Sequence, residues 1–136
     1  QSVLGQPIGA TSGGTIYQHE TSNDADGAPL NWWFETGYFV IAEGLNQMVV
    51  DFIYPDFKFG EAGGLQDATV MTTITAVDYP NGTERVYGPY SMTAAKNYIN
   101  TRLRGRQIKL KFEGNDLGTF ARLGLMRYRA APDGRV

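Results

Sequence analysis

Alternation with a period of two constrains this chain most. In TRLRGRQIKLKFEG (Thr101–Gly114), Ile108, Leu110 and Phe112 fall on one side of an extended backbone and Lys109, Lys111 and Glu113 on the other. Successive side chains on a strand point to opposite faces, so this pattern predicts a strand with Ile108, Leu110 and Phe112 in a core. Upstream the parity reverses: Leu103 points inward and Arg102 and Arg104 outward, which a bulge at or near Gly105 reconciles.

Other segments read the same way. Thr15–Thr21, Asn31–Ala42, Met48–Phe59, Ala68–Tyr79, Glu84–Tyr90 and Thr119–Ala130 are rich in β-branched and aromatic residues. Turn formers separate them: Ser22 to Gly27, Glu43 to Asn46, and Pro80-Asn81-Gly82. Gly37 marks a bulge or bend, and Pro55 marks a bend or a sheet edge. Ser91–Tyr98 is the one plausible helix, one or two turns at most, with a loop into the next strand as the alternative. Residues 1–14 read as a flexible arm or linker, residues 15–136 as one β domain, and Pro132–Val136 as a loose polar tail. The pattern predicts an all-β fold, an antiparallel β-sandwich or barrel of seven to eight strands with little helix.

A chain of 136 residues can bury roughly two-thirds of its unfolded surface and needs no covalent staple. It has no Cys, which removes disulfides, thiol catalysis and Cys-ligated zinc. No apolar run approaches the roughly 20 residues of a membrane helix, so no membrane span is expected. The first residue is Gln1 and not Met, which fits a processed chain or a piece of something larger.

Charge is sorted by position. Residues 1–84 hold eleven Asp/Glu against Lys58 alone, a net of −10; residues 85–136 hold eleven Lys/Arg against three Asp/Glu, a net of +8. Opposite fields of this kind attract, within one domain or between copies. Arg102, Arg104, Lys109 and Lys111, with Arg106, form a basic stripe that would meet acidic residues of the first half such as Asp24, Asp26 or Glu43, or contact phosphates. The stripe lacks the interleaved aromatics of a single-strand binder.

Trp32 and Trp33 are adjacent, so on a strand only one ring can enter a given core. The other is exposed, covered by a loop, or set at an interface or a sugar platform.

Catalytic and metal signals are weak. Asp24 to Gly27 resembles the start of a calcium loop, but the twelfth position from Ser22 is Trp33 where a bidentate Glu is required. His19 is the only histidine, and its neighbour Glu20 faces the other way on a strand. No catalytic residue, metal site or cofactor is expected, and the chain reads as non-enzymatic.

The segments IYQHETSNDADGAPL (Ile16–Leu30), FETGYFVIAEG (Phe34–Gly44), FIYPDF (Phe52–Phe57) and the stretch Thr101–Arg135 resemble a recurrent C-terminal region of phage virion proteins. These are the tail nozzle proteins of short-tailed phages, also called tail tubular protein B or packaged-DNA stabilisation proteins. The resemblance covers about residues 15–136. It implies a structural role in a tail nozzle or tail tube: a homo-oligomeric ring below the portal and adaptor, near the tail fibres, through which DNA passes with non-specific contact. It also implies assembly in the host cytoplasm and residence in the virion. In that family a larger, often propeller-like portion precedes this region, so the resemblance implies a fragment or a stand-alone relative. The reading from a different class is a carbohydrate-binding β-sandwich that stacks sugars on Trp32 or Trp33 and tyrosines.

Overall fold

A computed structural model describes residues 8–18, 24–25, 27–61, 69–116 and 119–135. Every regular element among them is a strand, and every pairing is antiparallel. The fold is all-β, as the period-2 patterning predicts. Two sheets packed face to face make a sandwich.

Five strands form the larger sheet: β5 (Trp32–Glu35), β6 (Phe39–Val40), β9 (Val70–Val77), β10 (Arg85–Met92) and β12 (Gln107–Gly114). Their order is β10-β9-β12-β5, and β6 also pairs with β12. The smaller sheet has the order β11-β7-β14, from β7 (Asn46–Tyr54), β11 (Ile99–Gly105) and β14 (Arg127–Arg135). Three two-stranded pairs surround them: β1 (Ile8–Ala10) with β2 (Ile16–Gln18), β3 (Asp24–Ala25) with β4 (Ala28–Pro29), and β8 (Lys58–Glu61) with β13 (Thr119–Arg122).

The two packed sheets hold eight strands, within the expected seven to eight; the three pairs add six short ones, and most of the long predicted strands break. Residues 31–42 divide around 36–38, where Gly37 lies, as expected of a bulge. There Thr36 keeps the ladder closed: its N–H donates to the Leu110 carbonyl (2.9 Å) and its Oγ1 accepts from the Leu110 N–H (3.0 Å). Residues 48–59 divide at Pro55, which cannot donate to a ladder. Residues 91–98 are no helix; Ser91 and Met92 complete β10 and the rest leads into β11. The polar end is not loose, because β14 runs to Arg135 with Pro132 opposite Met48 and Arg135 opposite Asn46. Within the expected arm, Ile8–Ala10 is a strand of a hairpin with β2. Pro80-Asn81-Gly82 is the expected turn, closed by Gly82 N–H to the Tyr79 carbonyl (2.9 Å) with Asn81 at φ 61°.

Both sheets supply one core. Ile108, Leu110 and Phe112 of β12 are buried with Val70, Ile74 and Ala76 of β9, against Met48, Val50 and Ile53 of β7 and Ile99 and Leu103 of β11. The parity change near Gly105 is a corner and not a bulge within one strand. The chain leaves the small sheet as β11 and enters the large one as β12, with Arg106 between.

Leu110 is fully buried at the centre of the large sheet. Leu110→Ala should therefore cost about 2–5 kcal/mol in urea denaturation. Arg102→Ala, on an exposed position of β11, should change stability by no more than about 0.5 kcal/mol.

Candidate functional site

The basic stripe does not exist as one surface. The corner at Arg106 sends Arg102 and Arg104 to the outer face of the small sheet and Lys109 and Lys111 to the outer face of the large one. Arg106 itself is half-buried at the corner, and its Nε has no hydrogen-bond partner among the described residues.

On the large sheet Lys109 is neutralised locally. Lys109 Nζ lies 3.8 Å from Glu35 and 3.5 Å from Glu84, and sits over the Tyr38 ring at 5.0 Å. The Tyr38 hydroxyl donates to Glu84 Oε1 (2.5 Å). That hydrogen bond, aided by Lys109, holds the Glu84 carboxyl below the usual carboxylate range. Lys111 lies over the Trp33 ring at 5.1 Å.

The outer face of the small sheet is different. Antiparallel register places Asn100 of β11 and Arg129 of β14 on either side of Phe52 of β7, and Arg127 beside Tyr54. The Phe52 and Tyr98 rings stack at 5.6 Å. Arg129 lies 5.8 Å from the Phe52 centroid and Lys96 lies 5.9 Å from that of Tyr98, so two stacked rings carry a cation at each end. Arg129 makes a two-pronged pair with Asp51, both contacts at 2.8 Å. Arg104 pairs with Asp133 at 2.6 Å. Arg102 and Arg127 have no ion pair among the described residues. Aromatics absent from the basic stretch thus arrive from β7 and from the loop before β11. Sequence spacing could not show this, because Phe52 and Arg129 are joined only by pairing of β7 with β14.

The expected acidic partners are not the ones used. Asp24 lies on β3, Asp26 and His19 lie outside the described residues, and Glu43 forms no ion pair among the described residues. Carboxylates of the acidic half that do meet the basic half include Glu35, Glu84, Asp51 and Asp78. Asp78 was missed by sequence reading. Arg85 grips it with two contacts (2.8 and 3.2 Å) and also donates to the Arg104 carbonyl (2.7 Å), which ties β10 to the corner.

The tandem tryptophans separate as the strand period requires. Trp32 is half-buried, packs against the core and stacks with Phe34 at 6.3 Å. Trp33 is 66% exposed. Trp32 can lie where it does because Gly114 is opposite it; a Cβ on Gly114 would come within 2.8 Å of the indole. Both residues border a cleft of about 550 Å³ at the end of the large sheet. Among the described residues, no three His, Cys, Asp or Glu side chains are grouped to hold a metal ion, and there is no helix long and apolar enough to cross a membrane.

Compared with protein families and with curated proteins, the chain matches neither a family nor a curated sequence.

Two outcomes follow from this geometry. Gly114→Ala should displace the Trp32 indole and cost about 1–3 kcal/mol, as overpacking does, with a changed tryptophan emission spectrum. The second concerns pH. The hydrogen bonds from Arg85 hold the Asp78 carboxyl below its ordinary value, against the opposing effect of its partial burial. A depressed carboxylate stabilises the fold above its unfolded pKa of about 3.9, and that contribution disappears as pH falls through the folded value. Asp78→Asn should therefore lower the melting temperature at neutral pH and flatten its decline below about pH 4.

Proposed function

We propose that this chain is a non-enzymatic structural domain of a phage virion, part of a tail nozzle or tail tube through which DNA passes. It works by apposing the outer face of its small sheet to an anionic surface of a neighbouring copy in a ring. The observation that carries this reading is the composition of that face. Lys96, Arg102, Arg104, Arg127 and Arg129 surround Phe52, Tyr54 and Tyr98, and the carboxylates paired with them are Asp51 and Asp133. A flat sheet face with excess cations and stacked aromatics suits a heterologous contact, in which one patch meets a different patch on the next copy. Glu43 and Asp56, in the acidic half, form no ion pair among the described residues and are candidates for the complementary patch. The same cations would hold passing DNA loosely, through phosphate contacts without base readout. The resemblance of residues 15–136 to tail nozzle proteins supports the same role, with portal, adaptor and tail fibre proteins as further partners.

The expected result is self-association that weakens as salt rises, because the Debye length falls from about 10 Å at 0.1 M to about 3 Å at 1 M. Light scattering behind size exclusion measures it. Arg102→Glu with Arg127→Glu should abolish the association and leave the melting temperature unchanged, since neither arginine has an ion pair to lose among the described residues. Retained association in the double variant would overturn the reading. Association that survives high salt would overturn it as well.

A further inference from the structure

We propose that the cleft at the end of the large sheet binds a neutral sugar ring, stacked on Trp33 and held through its hydroxyls by Glu113. The inference rests on the opposite side of the sandwich from the proposed ring contact and does not depend on it. Three strands bring its parts into line. Glu113 of β12 is opposite Trp33 of β5 on one side and Met71 of β9 on the other, so these three side chains form a row across the outer face. Asn31, Asn115 and Asp116 complete the cleft beside that row. At about 550 Å³ it falls within the roughly 300–1,000 Å³ of small-molecule sites.

The chemistry of the lining selects the ligand. Among the described residues that line it, Glu113 and Asp116 are the charged groups and none is a cation. A phosphate or carboxylate ligand would meet repulsion there. A cationic ligand would seek the π face of Trp33, but the Lys111 ammonium already lies 5.1 Å from that ring. A second cation on the same indole would be repelled. A neutral polyol has neither conflict. Its C–H face packs on the indole face turned away from Lys111, its hydroxyls donate to the carboxylates, and the asparagine amides both donate and accept. Asp116 is also positioned in advance, because its Oδ2 accepts from the Thr69 N–H at 2.6 Å. One aromatic platform and one ring suggest a dissociation constant on the order of 1 mM.

The test uses the 136-residue chain with methyl β-glucopyranoside, methyl β-galactopyranoside, methyl α-mannopyranoside, N-acetylglucosamine and lactose as probes. Choline and inorganic phosphate serve as the charged comparisons. Tryptophan fluorescence and saturation-transfer NMR report binding. At least one sugar should saturate, with neither charged probe competing. Trp33→Ala and Glu113→Gln should each weaken it at least about tenfold. Melting curves should show both variants folded, since Trp33 is exposed and Glu113 lies on the outer face. The Arg102→Glu, Arg127→Glu variant should bind the sugar unchanged, which separates this site from the association surface. No saturation by any sugar up to about 100 mM would overturn the proposal. So would unchanged binding by folded Trp33→Ala, or stronger binding of choline than of every sugar.

Discussion

The corner at Gly105 and Arg106 holds the sandwich together. Here one continuous run of chain crosses from the small sheet to the large one, and the backbone groups it would leave unpaired are taken up by three neighbours. Arg106 N–H donates to the Val77 carbonyl (3.0 Å), the Arg106 carbonyl accepts from Ile41 N–H (2.9 Å), and the Arg104 carbonyl accepts from Arg85. Gly105 is buried against β9, and a Cβ there would approach that of Ala76 to 3.0 Å. The residue is small because the two sheets meet at that point. Buried backbone polar groups without partners cost on the order of 1–3 kcal/mol each, so these bonds determine whether the crossing can exist at all. With the crossing in place, Leu103 and Ile108 enter the same core from different sheets.

The corner also decides what the charge sorting does. Pairs at the surface each contribute little, with a median near 0–1 kcal/mol, so Lys109 with Glu35 and Glu84, or Arg129 with Asp51, are weak grounds for stability. Their value is geometric. Each joins a strand of the acidic half to one of the basic half and so favours one register over its neighbours. Arg85 is the exception in position. It is half-buried, grips Asp78 and caps the Arg104 carbonyl, so it acts on the crossing itself.

Much of the core was legible in the sequence and much of the surface was not. Ile108, Leu110 and Phe112 alternate with charged residues, and burial on one face of a strand makes that pattern readable at any distance from its partners. The division of Trp32 from Trp33 was legible for the same reason. Residues 101–114 were misread as one bulged strand because a bulge and a sheet crossing impose the same change of parity. That error carried into the candidate site, since it merged Arg102 and Arg104 with Lys109 and Lys111. Residues 132–135 look like a polar tail, and only their pairing with β7 makes them a strand. The aromatic partner of Arg129 was invisible because Phe52 is brought beside it only by the register of β7 with β14.

These facts give the two outer faces different chemistry from one composition. Each receives cations from the same stretch of sequence, but the large sheet also receives Glu35 from β5 and Glu84 from the approach to β10, so Lys109 is compensated where it lies. The small sheet draws its other strands from Asn46–Tyr54 and Arg127–Arg135, and the second of these is itself basic. Its excess positive charge therefore follows from which strands the topology makes neighbours, and a net charge of −2 for the whole chain gives no hint of it. At the end of the large sheet Glu113 has Trp33 and Met71 as its cross-strand neighbours. Separation of the two faces by the corner is thus what allows a basic face with stacked aromatics and an acidic, aromatic cleft to coexist on a domain this small.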